Sequence, residues 1–277
     1  MFFSHTDRAV RYAIQCLGNK DLGQYTTINA GEFRDWLFAR GLKRSSVSRN
    51  LTIVKAVMNL CIQEEGLGIT NPFTRVYIPS DENYTKRHSL TINQIKLLQQ
   101  QSSQQDDSLR WLAALISDTG MRLAEAVGLS IDDLKLDAEV PHIILRKHPW
   151  RPLKTSGSER VIPLVGASLW ASQRLSDTVS GQFLFPQYVD GITTHANSAS
   201  AALNKWMKTF LPNECVVHGM RHAFRDRLRA VNAPMDMIDQ LGGWSKRTAG
   251  ENYGAGFPLA SVAMSLEQIV CASGGSI

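Results

Sequence analysis

The sequence predicts a mainly α-helical protein with a small β-sheet, of the α+β class, organised as two domains. Over most of the 277 residues, apolar side chains recur at three- and four-residue steps, the spacing of a helix with one buried face. Two short apolar runs at 139–146 and 161–164 flank a segment containing Pro, Lys and Gly, which is typical of a β-hairpin. Residues 71–90 contain two prolines and many polar side chains, and they interrupt the periodicity between the two parts.

Residues 1–80 are expected to form a helical domain. Within it, Asn29 and Glu32 have the spacing of a capping box, which would start one helix. Ser45 or Ser46 could cap the next helix, because a serine hydroxyl accepts hydrogen bonds from the first backbone N–H groups.

The start of that helix is polar and basic, which suits a surface that meets phosphate groups and groove edges. The residues concerned are Lys43, Arg44, Ser45, Ser46 and Arg49. Residues 1–87 hold 12 Lys and Arg against 8 Asp and Glu, and the isoelectric point of the whole chain is about 9.1. This excess suits a polyanionic partner, although many basic proteins bind no nucleic acid. For the polar helix start, the alternative is a solvated helix end.

Several classes of protein are excluded by composition. No apolar run approaches the ~18 residues of a membrane helix, and the amino terminus lacks the pattern of a secretory signal. The four cysteines show no CxxC spacing, so we expect buried thiols in a reducing cytoplasm rather than a zinc site or a disulfide framework.

A linker is placed at 81–90 and a second domain at 91–277. Thr91 and Gln94 form a capping box that opens this domain. Near its end, an apolar stripe predicts a helix at 259–271. The stripe by itself indicates packing on its own domain.

An acidic group, Asp132, Asp133 and Asp137, lies between predicted elements. We interpret it as an exposed helix end and turn with solvated carboxylates, and we predict no metal site there.

Four short segments of the second domain carry reactive groups: DTGMRLAEAVGL, PLKTSGSERVIPL, VHGMRHAF and LGGWSKRTAGENYG. Taken singly, each polar residue in them has an ordinary structural explanation, such as a surface ion pair or a solvated turn. Their occurrence together and in this order resembles the catalytic signature of the tyrosine recombinase (phage integrase) family. The resemblance implies a helical core-binding domain followed by a tyrosine-recombinase catalytic domain.

By this resemblance, the site can be assigned residue by residue. The catalytic set is Arg122, Lys154, His218, Arg221, Trp244 and Tyr253, supported by Glu125 and His222, with Arg160 as a further DNA contact. One departure is visible, because many members carry His where Trp244 stands, while a minority carry Trp there. An indole N–H can donate a hydrogen bond, but it cannot accept one or titrate.

The expected chemistry is cleavage of a DNA strand through a 3′-phosphotyrosyl intermediate. Tyr253 would attack phosphorus while His218 takes its proton, since imidazole titrates near neutral pH. Arg122 and Arg221 would hold the phosphoryl oxygens with planar, permanently charged forks. Lys154, on the hairpin, would protonate the leaving 5′ oxygen.

The resemblance also implies partners and setting: double-stranded DNA, a homotetramer on two DNA sites, possible accessory DNA-bending proteins, no membrane, and no cofactor or metal. It further implies, as the alternative for the helix at 259–271, docking on a neighbouring protomer. The expected place of action is the cytoplasm of a bacterial host, at the nucleoid. The expected function is integration or excision of a phage or other mobile element. A type IB topoisomerase-like DNA-relaxing enzyme and a catalytically inactive DNA-binding relative remain as alternatives.

Overall fold

The computed structural model describes residues 2–80, 88–154, 158–244 and 256–272, and the chain divides into two compact units, Met1–Lys86 and Arg87–Ile277. Both units are mainly helical, and the second contains a small antiparallel sheet, so the predicted fold class is confirmed. Most of the predicted linker, 81–87, lies outside the described residues.

The first unit is built on three helices: α1 (Phe2–Leu17), α2 (Thr27–Ala39) and α3 (Arg44–Glu64). Its core consists of apolar side chains that these helices share, among them Phe33, Leu37, Val47 and Leu51. The long α3 packs against α1 and α2 because its apolar residues recur on one face.

Two predicted caps in this unit are wrong. The capping box of α2 is formed by Thr26 and Asn29, three residues before the predicted pair, and Asn29 Nδ2 donates to Glu32 at 2.9 Å. α3 has Lys43 as its N-cap, with no side-chain hydrogen bond, so neither Ser45 nor Ser46 caps it. Spacing alone could not separate these choices, because polar side chains occupy several successive positions at both helix starts.

In the second unit, the described residues form eight α-helices. They are α4 (Ile92–Gln105), α5 (Ser108–Thr119), α6 (Leu123–Val127), α7 (Gly166–Thr178), α8 (Ala196–Met207), α9 (Val217–Ala230), α10 (Met235–Gly242) and α11 (Leu259–Ala272). The predicted Thr91–Gln94 capping box opens α4, as expected. Every residue of α5 from Trp111 onward is buried, since α4, α7, α8 and α9 all pack against it.

Three short antiparallel strands lie in the order β1 (Leu134–Lys135), β2 (His142–Leu145) and β3 (Arg160–Pro163). The pairing of β2 with β3 confirms the predicted hairpin, and Lys154 lies in its loop. β1 was not predicted, because two residues are too few to show an alternating pattern.

The terminal helix α11 packs on its own unit. Val262, Ala263, Leu266 and Ile269 are buried, and Arg227 Nη2 donates to the backbone oxygen of Ile269 at 3.4 Å. The two alternatives for this helix are packing on its own domain and docking on a neighbouring protomer. The structure shows the first.

Two compositional expectations can also be compared with the structure. Of the four cysteines, Cys215 is buried, Cys16 and Cys61 are half-buried, and Cys271 is exposed, so the prediction of uniformly buried thiols is wrong. Among the described residues, there is no helix with the length and apolarity needed to cross a membrane.

The glycine that ends α5 is required by both its conformation and its neighbours. Gly120 has φ +59°, and a Cβ atom there would lie 2.2 Å from Cδ1 of the buried Phe224. We therefore expect Gly120→Ala to lower the free energy of unfolding by roughly 3 kcal/mol, combining left-handed strain with overpacking. Urea denaturation followed by tryptophan fluorescence measures this change, because five of the six tryptophans lie in the second unit.

Gly191→Ala is the matched control. Gly191 has φ +86°, but nothing lies within 4 Å of its hypothetical Cβ. This variant should lose only the conformational part, about 1–2 kcal/mol. Equal losses in the two variants would contradict the packing argument.

Candidate active site

The guanidinium of Arg122 is placed by the turn between α5 and α6. Gly120 ends α5, and Arg122 is the N-cap of α6. Its backbone N–H donates to Glu125 Oε2 at 2.9 Å, and its Nη1 donates to Glu125 Oε1 at 2.6 Å. The side chain of Arg122 is 25% exposed and that of Glu125 is 5% exposed, so the carboxylate is buried and part of the arginine side chain faces solvent.

Glu125 also binds a second arginine from β3. Arg160 Nη2 donates to Glu125 Oε2 at 2.9 Å, Nη1 donates to the Ser158 backbone oxygen at 2.8 Å, and Nε donates to the Leu241 backbone oxygen at 2.7 Å. Its side chain is 3% exposed. The prediction that Arg160 contacts DNA is therefore wrong, because all three nitrogens of its guanidinium are bonded inside the protein.

Arg221, in the second turn of α9, joins this group. Its Nη1 donates to the Gly120 backbone oxygen at 2.5 Å, and its Nη2 donates to the Gly242 backbone oxygen. Arg122 Nη2 donates to the adjacent carbonyl, that of Gly243, at 3.2 Å. Two arginines that are 99 positions apart in sequence are thus brought together by two consecutive carbonyl groups.

The glycine pair at the end of α10 makes this arrangement possible. A Cβ atom on Gly242 would lie 1.7 Å from the Trp244 ring. Gly243 has φ +58°, and a Cβ atom there would lie 2.8 Å from Arg160 Nη1. These two residues and Gly120 were not predicted as site components, although the glycine pair directly before Trp244 was a visible signal in the sequence.

Trp244 contacts two guanidinium groups with its ring. Arg221 Cζ lies 4.3 Å from the ring centroid and Arg225 Cζ lies 4.7 Å from it. Arg225 is itself paired with Asp239 at 3.0 Å, and the Trp244 backbone N–H donates to the Asp239 backbone oxygen. The half-buried indole therefore stabilises the position of Arg221 through cation–π contact.

His218 lies in the first turn of α9, one turn before His222. Its side chain is exposed, and the two imidazole rings are 5.0 Å apart with planes at 85°. Because it lies three residues before Arg221, His218 shares a face of α9 with that arginine. The amino terminus of a helix also carries partial positive charge, which favours a nearby anion.

The electrostatics of the cluster reflect crowding of positive charge. Burial, followed by the neighbouring Arg122 and Arg160, lowers the pKa of Arg221 to about 9. Burial acts to raise the pKa of Glu125, but Arg160 and Arg122 outweigh it and the pKa is lowered. Three guanidiniums against one carboxylate leave an excess positive charge, which suits the binding of an anion.

Two predicted catalytic residues are not part of this cluster as described. Lys154 is exposed in the loop between β2 and β3. Tyr253 lies outside the described residues.

The acidic group was misinterpreted at one of its three positions. Asp132 and Asp137 are exposed, but Asp133 is fully buried, with Arg146 Nε and His148 Nε2 at 3.0 and 2.9 Å from its carboxylate oxygens. Within the described ranges, no three His, Cys, Asp or Glu side chains are grouped in a way that could hold a metal ion.

The pH dependence of stability should reveal the role of Glu125. The pKa of Glu125 is lowered in the folded protein. Its contribution to the free energy of unfolding is therefore complete above its unfolded pKa of about 4.3, and it is lost as pH falls through the folded pKa. Removing one partner of a buried pair costs about 3–5 kcal/mol. We expect Glu125→Gln to lose about that much at pH 7 and clearly less below about pH 4, measured by urea denaturation.

Glu139→Gln removes an exposed carboxylate and serves as the control, with little change at either pH. A loss in Glu125→Gln that stayed constant from pH 7 to pH 3 would show that packing, and not charge, is responsible.

The segment that holds these residues matches a known protein family. Residues 88–256, more than half of the chain, match the Phage integrase family. The tyrosine recombinase XerC of Staphylococcus carnosus (strain TM300) is 24% identical over 112 residues, which cover 40% of this chain and 38% of that protein. The chain thus aligns with well under half of this curated relative.

Solved structures match over nearly the whole chain. The Tn1549 transposon integrase, in complex with transposon right-end DNA, superposes with a TM-score of 0.69 at 22% identity, covering 95% of this chain and 92% of that one. A lambda integrase tetramer bound to a Holliday junction gives a TM-score of 0.67 at 16% identity, covering 88% and 71%. These likenesses concern the fold; together with the family match over the segment that holds Arg122, Arg221 and Trp244, they place the protein in the phage integrase family, the tyrosine recombinases.

Proposed function

We propose that this protein is a site-specific DNA recombinase that cleaves and rejoins strands through a 3′-phosphotyrosyl intermediate. The observation that carries the proposal is the cluster of Arg122, Arg160 and Arg221 around the single carboxylate of Glu125. Such fixed positive charge stabilises the charge that develops on a phosphoryl group without reorganisation of the protein. In this proposal the bond from the Tyr253 oxygen to phosphorus forms as the bond from phosphorus to the 5′ oxygen breaks.

The proton transfers are assigned to two exposed side chains. His218 accepts the phenol proton of Tyr253, and Lys154 gives a proton to the 5′ oxygen as it leaves. Arg122 and Arg221 bind the two non-bridging oxygens, since each guanidinium carries five N–H donors in a planar fork. Trp244 acts by holding Arg221 in place, with its indole N–H as a further donor.

DNA is proposed to contact the start of α3 in the first unit. Lys43, Arg44, Ser45, Ser46 and Arg49 are all exposed there. Backbone N–H groups at the helix start and long basic side chains are the usual partners of phosphate oxygens. Arg44 Nε donates to the Pro79 backbone oxygen at 2.8 Å, which fixes the direction of that side chain.

The partners proposed for this chain follow from the proteins that it resembles. Double-stranded DNA is the substrate, and a homotetramer on two DNA sites is the assembly that exchanges strands, with accessory DNA-bending proteins where the sites require them. The setting is the cytoplasm and nucleoid of a bacterial host, and the biological task is integration or excision of a mobile element.

Tyr253→Phe tests the nucleophile. On a nicked DNA half-site, from which the cleaved fragment diffuses away, the wild-type protein should accumulate an adduct that survives denaturing electrophoresis. The variant should form none, because it lacks the attacking oxygen, and should bind the same DNA with unchanged affinity in a mobility-shift assay. Tyr188→Phe is the control and should form the adduct normally.

An adduct that persists in Tyr253→Phe would refute this assignment. Relaxation of a supercoiled plasmid that carries no specific site, without any recombinant product, would favour the topoisomerase alternative.

Lys154→Ala tests the proton donor. Strand cleavage should slow about 10²–10⁴-fold on ordinary DNA, the usual contribution of a general acid. A substrate with sulfur at the bridging 5′ position should restore the rate, because a thiolate, with a pKa near ~8.5, leaves without protonation. Lys147→Ala, an exposed lysine of the same loop, should leave the ratio of the two rates unchanged. Equal slowing of both substrates by Lys154→Ala would contradict the role.

A further inference from the structure

The segment that leads from β2 towards Lys154 is held by polar contacts to the buried carboxylate of Asp133. Asp133 accepts a hydrogen bond from Arg146 Nε at 3.0 Å, and its oxygens lie 2.9 Å from His148 Nε2 and 3.4 Å from Arg151 Nη2. These three side chains come from one short stretch just before Lys154. The backbone N–H of Ser130 also donates to Asp133 at 3.1 Å, so the carboxylate is held from the other side by its own turn.

Arg151 connects this anchor to the arginine cluster. It is 1% exposed, and its Nη1 donates to the backbone oxygen of Glu125 at 2.9 Å. The carboxylate of that same residue binds Arg122. A Cβ atom on Gly128 would lie 2.7 Å from Arg151 Cδ, so the side chain passes closely over the end of α6.

The stretch itself is held as a compact turn. His148 and Arg151 exchange two backbone hydrogen bonds, at 3.0 and 3.2 Å. Between them, Trp150 stacks on the His148 ring at 4.5 Å with planes at 7°, and its Nε1 donates to the Gly128 backbone oxygen at 3.0 Å. The turn ends three residues before Lys154, so its position determines where the exposed lysine can reach.

We propose that Asp133 is a positioning residue for Lys154: through Arg146, His148 and Arg151 it fixes the start of the lysine loop relative to Arg122. The inference rests on the proposed role of Lys154 as proton donor. A carboxylate is needed because Arg151 is buried with a positive charge, and an unpaired charge there would be released towards solvent, carrying the loop with it. Asp133 does not touch the DNA and acts only through the lysine loop.

Asp133→Asn in the full-length protein tests the proposal. Cleavage of ordinary DNA should slow about 10²-fold, the cost of a misplacement of roughly 1 Å. The substrate with a bridging 5′ sulfur should be cleaved within a few-fold of the wild-type rate, because it needs no proton donor. Asp190→Asn, an exposed aspartate that likewise contacts a histidine and backbone N–H groups, should affect neither substrate.

A merely structural role would slow both substrates equally, and that result would overturn the proposal. In a Lys154→Ala background, Asp133→Asn should add almost no further slowing, because both changes remove one function. Full additivity would likewise overturn it. If Asp133→Asn does not fold, His148→Gln is the second variant, because it keeps the carboxylate charged. It must slow cleavage of ordinary DNA by a smaller factor and leave cleavage of the sulfur-containing substrate nearly unchanged. Equal slowing of both substrates by His148→Gln would again overturn the proposal. Failure of sulfur to restore Lys154→Ala itself would instead refute the proton-donor role and this inference with it.

Discussion

The arrangement of the site depends on the ion pairs that the Glu125 carboxylate makes with Arg122 and Arg160. Arg122, Arg160 and Arg221 lie close enough for each to disfavour the charge of the next, and all are at least partly removed from water. A single buried carboxylate that binds two of them reduces the repulsion without cancelling it. The cluster therefore holds together in the free protein and still carries an unbalanced positive charge. A phosphodiester is the kind of group that would complete it.

Backbone carbonyls hold the guanidiniums from their other sides. Gly120, Gly242 and Gly243 supply oxygens to Arg122 and Arg221. A carbonyl has a dipole but no net charge, so it orients an arginine without neutralising it. The positive charge of the guanidinium therefore remains available to a phosphate. Only glycine fits at these positions, because the Phe224 ring, the Trp244 ring and the Arg160 guanidinium occupy the space of a side chain. The glycines are therefore part of the site, although they carry no reactive group.

Local spacing explains which features could be predicted from the sequence. Several helices of the second unit and the hairpin follow from apolar periodicity, whereas the pairing of Arg122 with Glu125 was implied by the family resemblance and agrees with their three-residue step at a helix start. The burial of Arg160 and Asp133 could not be read in this way. Their oppositely charged partners lie 13 residues or more away in sequence, so a charged side chain that is paired in the core looks the same in sequence as one that faces solvent. Both were predicted to face the surroundings, and both errors have this one cause.

The position of α11 bears on how protomers could be coupled. Its buried residues, Val262, Leu266 and Ile269, belong to the core of the same unit that holds the arginine cluster. Arg227 connects α11 to α5, since it donates both to the Ile269 carbonyl and to Asp118. Moving α11 to a neighbouring copy would expose the apolar groove that it leaves, unless that groove received the α11 helix of another copy. Between identical protomers in a closed ring that condition is met by symmetry, because each groove that gives up its own helix receives the same helix from the next copy. In such an exchange, the apolar stripe of α11 would be buried as fully in the neighbour's groove as it is in its own unit.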